Sequence, residues 1–222
     1  MITHYYDLEQ GTEEWLQVRC GLITASVFHK LITQATYKPA KNDTSRKLLE
    51  ELLTQRILGK PTETYQSQDM LTGSLEEPAA RAIYARERAV VEECGFITRK
   101  RSGVTIGYSP DGLVGTRGLI EIKRPKPENQ VARIIKKEIP SAYLWQMHVG
   151  LAVTGRHWCD FISYCPGLPM MIERVRRDPE KIGQIWLAAH LAEATITEMR
   201  REYNRSCKKY PNTKPLDGIL VL

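Results

Sequence analysis

A change of period near residue 90 constrains the fold more than any other feature of the chain. Before it, apolar residues recur at helical spacing. Leu48, Leu49, Leu52, Leu53 and Ile57 mark one face over 44–58, and the pattern stops at Gly59-Lys60-Pro61. A second long helix is expected over 72–88, with Leu75, Ala79, Ala82 and Ile83 on one face. Pro78 would then sit in its first turns, where proline is tolerated. Shorter helices are expected over 12–19 and 24–32. After it, the runs 90–98, 104–108 and 119–123 are rich in β-branched residues and bounded by Gly, Pro or Ser, as strands are. A lysine-rich amphipathic stretch covers 129–139, and a helix is expected over 141–154. Strands over 156–164 and 169–175 are joined by Cys165-Pro166-Gly167, and a long helix spans 178–203. This order predicts an α/β fold with one mixed central sheet of about five strands, flanked by helices on both faces.

A chain of 222 residues suits one domain. Its parts are a helical segment over 1–88, a sheet core over 90–175, and the helix over 178–203 with a basic tail. No apolar run approaches the roughly 18 residues of a membrane-spanning helix. Residues 1–11 carry acids and tyrosines instead of the apolar block of a signal peptide. A soluble, cytoplasmic protein is expected. The five cysteines (Cys20, Cys94, Cys159, Cys165 and Cys207) contain no C-x-x-C pair and make no zinc spacing with histidine, so they are expected to be reduced and packed.

The net charge of +6 is unevenly spread. Between Arg99 and Lys137 stand ten Lys or Arg against three acids, Asp111, Glu121 and Glu128. A second basic cluster runs from Arg200 and Arg201 through Arg205, Lys208, Lys209 and Lys214. Lysines and arginines on this scale suit a polyanionic partner. Carboxylates at the centre of such a surface suit metal-assisted work on a phosphodiester backbone.

The acids of that window are placed by pattern. In Leu119-Ile120-Glu121-Ile122-Lys123 alternate side chains share a face, so Glu121 and Lys123 point one way while Ile120 and Ile122 point the other, into a core. Ser109-Pro110-Asp111-Gly112 is a turn signature, and a β-hairpin would bring Asp111 alongside. Two carboxylates leave room for water and phosphate around a hard divalent cation such as Mg²⁺. Lys123 would orient or deprotonate the attacking water. Glu121-Ile122-Lys123 is the only carboxylate-x-lysine in the chain. The alternative is a cross-strand ion pair on a solvated sheet face.

Ser109-Pro110-Asp111-Gly112 followed by Glu121-Ile122-Lys123-Arg124-Pro125 resembles the active-site run of the PD-(D/E)XK nucleases. Three further segments resemble the phage lambda exonuclease branch, the alkaline exonucleases of viral recombination. They are Trp15 to Arg19 continuing through Gly21 to Ser26, Gly73-Ser74-Leu75-Glu76-Glu77 ending in Ala80-Arg81, and Ser141 to Gln146. The resemblance covers most of the chain. It implies a restriction-endonuclease-like core and a Mg²⁺-dependent 5′→3′ exonuclease with two ions, Mn²⁺ substituting. Such an enzyme acts on double-stranded DNA ends, releases 5′-mononucleotides and leaves a 3′ single strand. It implies a homotrimer, a single-strand annealing protein as partner, and a phage or prophage origin in a bacterial host. Asp111, Glu121 and the carbonyl of Ile122 would bind metal, and Lys123 would serve the water. Glu77 would support a second metal, with Glu76 as its rival. Gln146 would fix Lys123 or a phosphate. Arg19, Thr24, Ser26 and Ser109 would receive phosphates, including a 5′-phosphate, and Met70 or Leu71 would split the strands. The plainer roles are an Arg19 pair with Glu13 or Glu14, a helix cap at Ser26 and a surface amide at Gln146. The rival functions are an endonuclease of the same fold and a non-enzymatic basic DNA-binding protein.

Overall fold

Among the described residues the strands form two four-stranded sheets instead of one sheet of about five. The computed structural model of the chain describes residues 1–33, 36–62, 68–211 and 213, and of 68–75 the backbone alone. The first sheet has the order β1 (Ile2–Tyr5), β3 (Phe96–Arg101), β4 (Val104–Tyr108), β2 (Ile23–Thr24). The second runs β5 (Gly112–Val114), β6 (Gly118–Lys123), β7 (Trp158–Ser163), β8 (Met171–Arg176). The division falls at Ser109-Pro110-Asp111. Pro110 has no N–H to give a ladder, so the pairing of β4 ends at Tyr108 and the chain resumes at Gly112 against β6. Both sheets are mixed: β2 and β4 are parallel, as are β6 and β7, and the other pairs are antiparallel.

The helices are α1 (Glu13–Arg19), α2 (Asp43–Leu58), α3 (Gln68–Glu87), α4 (Pro127–Lys136), α5 (Ser141–Thr154) and α6 (Pro179–Ser206). The segment expected as a helix over 24–32 is a 3-10 helix, Ala25–Leu31. The strand expected from residue 90 begins at Phe96, and Glu92 makes only an isolated bridge to Leu113. α3 starts early enough that Pro78 lies in its middle and not in its first turns. An interior proline costs a helix about 3 kcal/mol. Burial offsets it, because Ala80 and Tyr84 beyond the proline are fully enclosed against Val114, Ile120, Ile122 and Ile162.

The main core lies on the opposite face of the second sheet. Leu119, Cys159 and Phe161 meet α5 there, and α5 also packs on β3 and β4 of the first sheet. From Trp145 to Val153, α5 is buried except for Gln146. One apolar helix thus ties the two sheets together, and its polar exception faces the candidate site. Among the described residues, no helix is long and apolar enough to cross a membrane.

Candidate active site

The β5–β6 hairpin sets the geometry. Its register pairs Gly112 with Ile120, so Asp111, just before β5, comes level with the following residues of β6. Asp111 Oδ2 accepts the backbone N–H of Ile122 at 2.6 Å. The alternation expected along β6 holds, but the face carrying Glu121 and Lys123 is not solvated. Glu121 is fully buried. Its Oε1 accepts Lys123 Nζ and Gln146 Nε2, each at 2.5 Å, and its Oε2 accepts the Tyr108 hydroxyl at 3.0 Å. Gln146 therefore reaches the carboxylate that holds Lys123, and it is no ordinary surface amide.

Charge in this enclosed space is strained toward neutrality. Burial pushes the Glu121 carboxyl up to about 7, with Lys123 opposing the rise and Asp111 adding to it. Burial also raises Asp111, against the pull of Lys123 and the Ile122 amide. For Lys123, burial alone would favour the neutral amine, but Glu121 and Asp111 outweigh it and hold the ammonium.

The adjacent glutamates Glu76 and Glu77 of α3 diverge. Glu76 accepts a hydrogen bond from Arg124 Nε at 2.9 Å. Glu77 turns to the other side, pairs with Arg81 at 2.5 Å and lines a cleft of about 570 Å³ together with Asp111, Trp15 and Glu93. Burial, and then the charge of Asp111, raise Glu77 to about 7 against Arg81 and Lys123. Arg81, at the end of the Gly73–Arg81 motif, is a site residue that the motif alone does not single out. Its Nε donates to the Asp111 carbonyl at 2.9 Å and its Nη1 pairs with Glu93 at 2.7 Å. Its spacing of four from Glu77 on a helix was the available signal. Tyr108, which sequence reasoning also missed, carried none.

Arg19 closes α1, whose N-cap Thr12 accepts the Trp15 amide. Its guanidinium lies 3.9 Å from the Trp15 ring centroid and 5.5 Å from that of Phe96, and Nη1 donates to Ser109 Oγ at 2.9 Å. Trp15 Nε1 donates to the same hydroxyl at 3.1 Å. Among the described residues Arg19 has no carboxylate partner, Glu13 and Glu14 included. Burial lowers it to about 10, so it remains a cation at neutral pH. Thr24 pairs with Gly107 across β2 and β4, two residues from Ser109, and its hydroxyl lies 3.3 Å from that of Ser26. Ser26 sits inside the 3-10 helix with its side chain exposed and is not its cap. The side chains of Met70 and Leu71 and the tail residue Lys214 lie outside the described residues.

Among the described residues, no three His, Cys, Asp or Glu side chains converge on one point. The candidate donors at the hairpin are instead the two carboxylates and, as the family resemblance implies, the carbonyl of Ile122. All are hard oxygens, and such a set suits a divalent cation that keeps water and phosphate among its ligands. Carboxyls raised to about 7 by crowding and burial are what an added cation would relieve.

A family model described as the YqaJ-like viral recombinase domain matches residues 14–157. No curated protein matches. The solved structure of an alkaline exonuclease, LHK-Exo from Laribacter hongkongensis, is 33% identical and superposes with a TM-score of 0.77, over 89% of this chain and 99% of its own. The complex of LHK-Exo with dAMP, also 33% identical, superposes at 0.78, over 90% and 100%. A phage-related exonuclease from Haemophilus somnus 129PT shares the fold at 16% identity, with a TM-score of 0.63 over 82% and 96%. With the hairpin carboxylates, the half-buried lysine and this likeness over nearly its whole length, the chain belongs to the YqaJ-like viral recombinase family, the alkaline-exonuclease relatives of the PD-(D/E)XK nucleases.

Proposed function

We propose that this protein is a metal-dependent exodeoxyribonuclease that degrades one strand of duplex DNA 5′→3′ from its end and leaves a 3′ single strand for annealing. The observation that carries this reading is the meeting of Asp111, Glu121 and Lys123 at the hairpin edge, with Asp111 opening on the cleft. The solved relative is an alkaline exonuclease, and its complex with dAMP holds a nucleoside monophosphate, the product class of such a reaction.

Asp111, Glu121 and the Ile122 carbonyl would hold Mg²⁺ or Mn²⁺, and Glu77, once ionised, a second ion. The bound metal supplies positive charge at the scissile phosphate and a more nucleophilic water. Lys123, fixed by Glu121, orients that water toward phosphorus. The water oxygen joins phosphorus as the P–O3′ bond breaks, and a 5′-mononucleotide leaves. Arg19 and Ser109, with Thr24 and Ser26 beside them, receive the 5′-phosphate. A half-buried guanidinium with no acid partner among the described residues is suited to bidentate phosphate contact. A homotrimer around the duplex and a single-strand annealing partner complete the reading.

Linear 5′-phosphorylated duplex and a covalently closed circle, each with Mg²⁺ and with a chelator, test it. Acid-soluble nucleotides from the linear substrate alone, abolished by the chelator, are expected. Opening of the circle would identify an endonuclease. Binding with no release of nucleotides would identify a DNA-binding protein.

A further inference from the structure

Tyr108 is the last residue of β4, and its ring is almost wholly enclosed. A phenol in such a place needs a partner for its hydroxyl, and the partner is Glu121 Oε2 at 3.0 Å. The two oxygens of Glu121 are thereby divided. Oε2 is anchored to a neutral donor of the first sheet, and Oε1 is turned to Lys123 and Gln146. A glutamate carboxylate rotates in a broad, soft well about its last torsion, so donors on both oxygens are what fix its plane.

The ring reaches this position because Gly150 stands opposite. A Cβ added there would lie 2.8 Å from two carbons of the Tyr108 ring, nearer than such contacts occur. Gly150 follows Gln146 by one helical turn, so a single face of α5 supplies the amide for Oε1 and the space for the donor to Oε2. The motif Asp…Glu-x-Lys asks for neither residue.

We propose that Tyr108 is a positioning residue for Glu121, setting the carboxylate plane in which a divalent cation is bound, and that Gly150 acts through it. The inference rests on the reading of Glu121 as a metal ligand. A partner that orients a ligating carboxylate typically changes metal affinity or activity by about 10- to 100-fold when removed.

Tyr108→Phe in the full chain keeps the ring and removes the donor. Calorimetric titration with Mn²⁺ in the absence of DNA should show binding about tenfold weaker or more. On linear duplex, kcat should fall with KM for DNA unchanged, and excess Mn²⁺ should restore part of it. A purely structural hydroxyl would lower the thermal midpoint in chelator and leave the titration where it was. That result overturns the proposal. Should Tyr108→Phe fail to fold, Gly150→Ala keeps the hydroxyl but displaces the ring, and it must weaken Mn²⁺ binding by itself. Where both variants fold, Gly150→Ala must add nothing in the Tyr108→Phe background, and an equal loss in both backgrounds refutes its action through Tyr108. A wild-type protein that neither binds Mn²⁺ nor cleaves DNA sinks the proposed function first. One that does both, beside a Tyr108→Phe variant with an identical titration, sinks this inference alone.

Discussion

Asp111 turns Oδ2 back onto the amide of Ile122 at 2.6 Å, so the carboxylate proposed to bind metal also ties the turn to β6. The two tasks separate by substitution. Asp111→Asn keeps an oxygen able to accept the amide but loses the charge. Asp111→Ala loses both and leaves a buried N–H unpaired, which costs about 1–3 kcal/mol. Cleavage should fall by roughly two orders of magnitude or more in both, as when a group stabilising transition-state charge is lost. Only the alanine variant should lose denaturant stability, and both should still bind duplex in a gel-shift assay. Retained Mg²⁺-dependent cleavage in either would refute the assignment.

Arg19 predicts a different pattern. It is an enclosed cation on Trp15 with Ser109 as its hydrogen-bond acceptor, so it should govern recognition of the strand end and leave the chemistry to the hairpin. Arg19→Ala should bring the initial rates on 5′-phosphorylated and 5′-hydroxyl duplexes together, from an expected preference of about tenfold or more for the phosphate. Arg19→Lys should recover little, since a point charge matches neither the fork nor the stacking. A preference unchanged in Arg19→Ala would place the end-phosphate site elsewhere.

Local chemistry made part of this site legible in the sequence. Asp111 lies in a proline-glycine turn and Glu121 and Lys123 on a two-residue period, and both patterns span only a few residues. The division into two sheets was not legible, because Pro110 announces a turn without saying which ladder resumes beyond it. β1 and β2 are too short to show a period, and they pair with β3 and β4 far along the chain. Tyr108 and Arg81 take their meaning from contacts between sheets or between helix and turn. The polar exception on α5, Gln146, was visible by its resemblance to a family motif, but its target was a matter of tertiary packing.

Metal binding should strengthen as pH rises through about 7, the value to which burial pushes Glu121 and Glu77 from an ordinary 4.5. The folded, metal-free protein keeps protons there that the unfolded chain has already released. These groups therefore stabilise the metal-free fold fully below about 4.5, and the contribution is lost as pH rises toward 7. A cation takes the ionised carboxylates and displaces those protons. In thermal melts the rise in midpoint on adding Mg²⁺ should grow across this window, while the metal-free midpoint falls. A Mg²⁺ effect of constant size on both sides of pH 7 would contradict the assignment of these carboxyls.

His148 carries a pH dependence of the opposite sign, away from the hairpin donors. Among the described residues its Nδ1 is the one buried side-chain polar atom without a hydrogen-bond partner. Burial, with Lys181 adding and Asp178 opposing, lowers it to about 4. The unfolded chain takes up the proton first as pH falls below the ordinary 6.5, so stability is full above that value and is lost on the way down toward 4. An orphaned buried nitrogen costs about 1–3 kcal/mol, which an apolar side chain of similar length removes. His148→Met should therefore hold its denaturation midpoint in mild acid, where the wild type loses stability, and gain about 1 kcal/mol near neutrality. The increment added by Mg²⁺ should be the same in both proteins, because the charges that act on His148 are those of Lys181 and Asp178 and not those of the hairpin carboxylates. Parallel loss of stability in wild type and His148→Met would place the acid sensitivity in other groups.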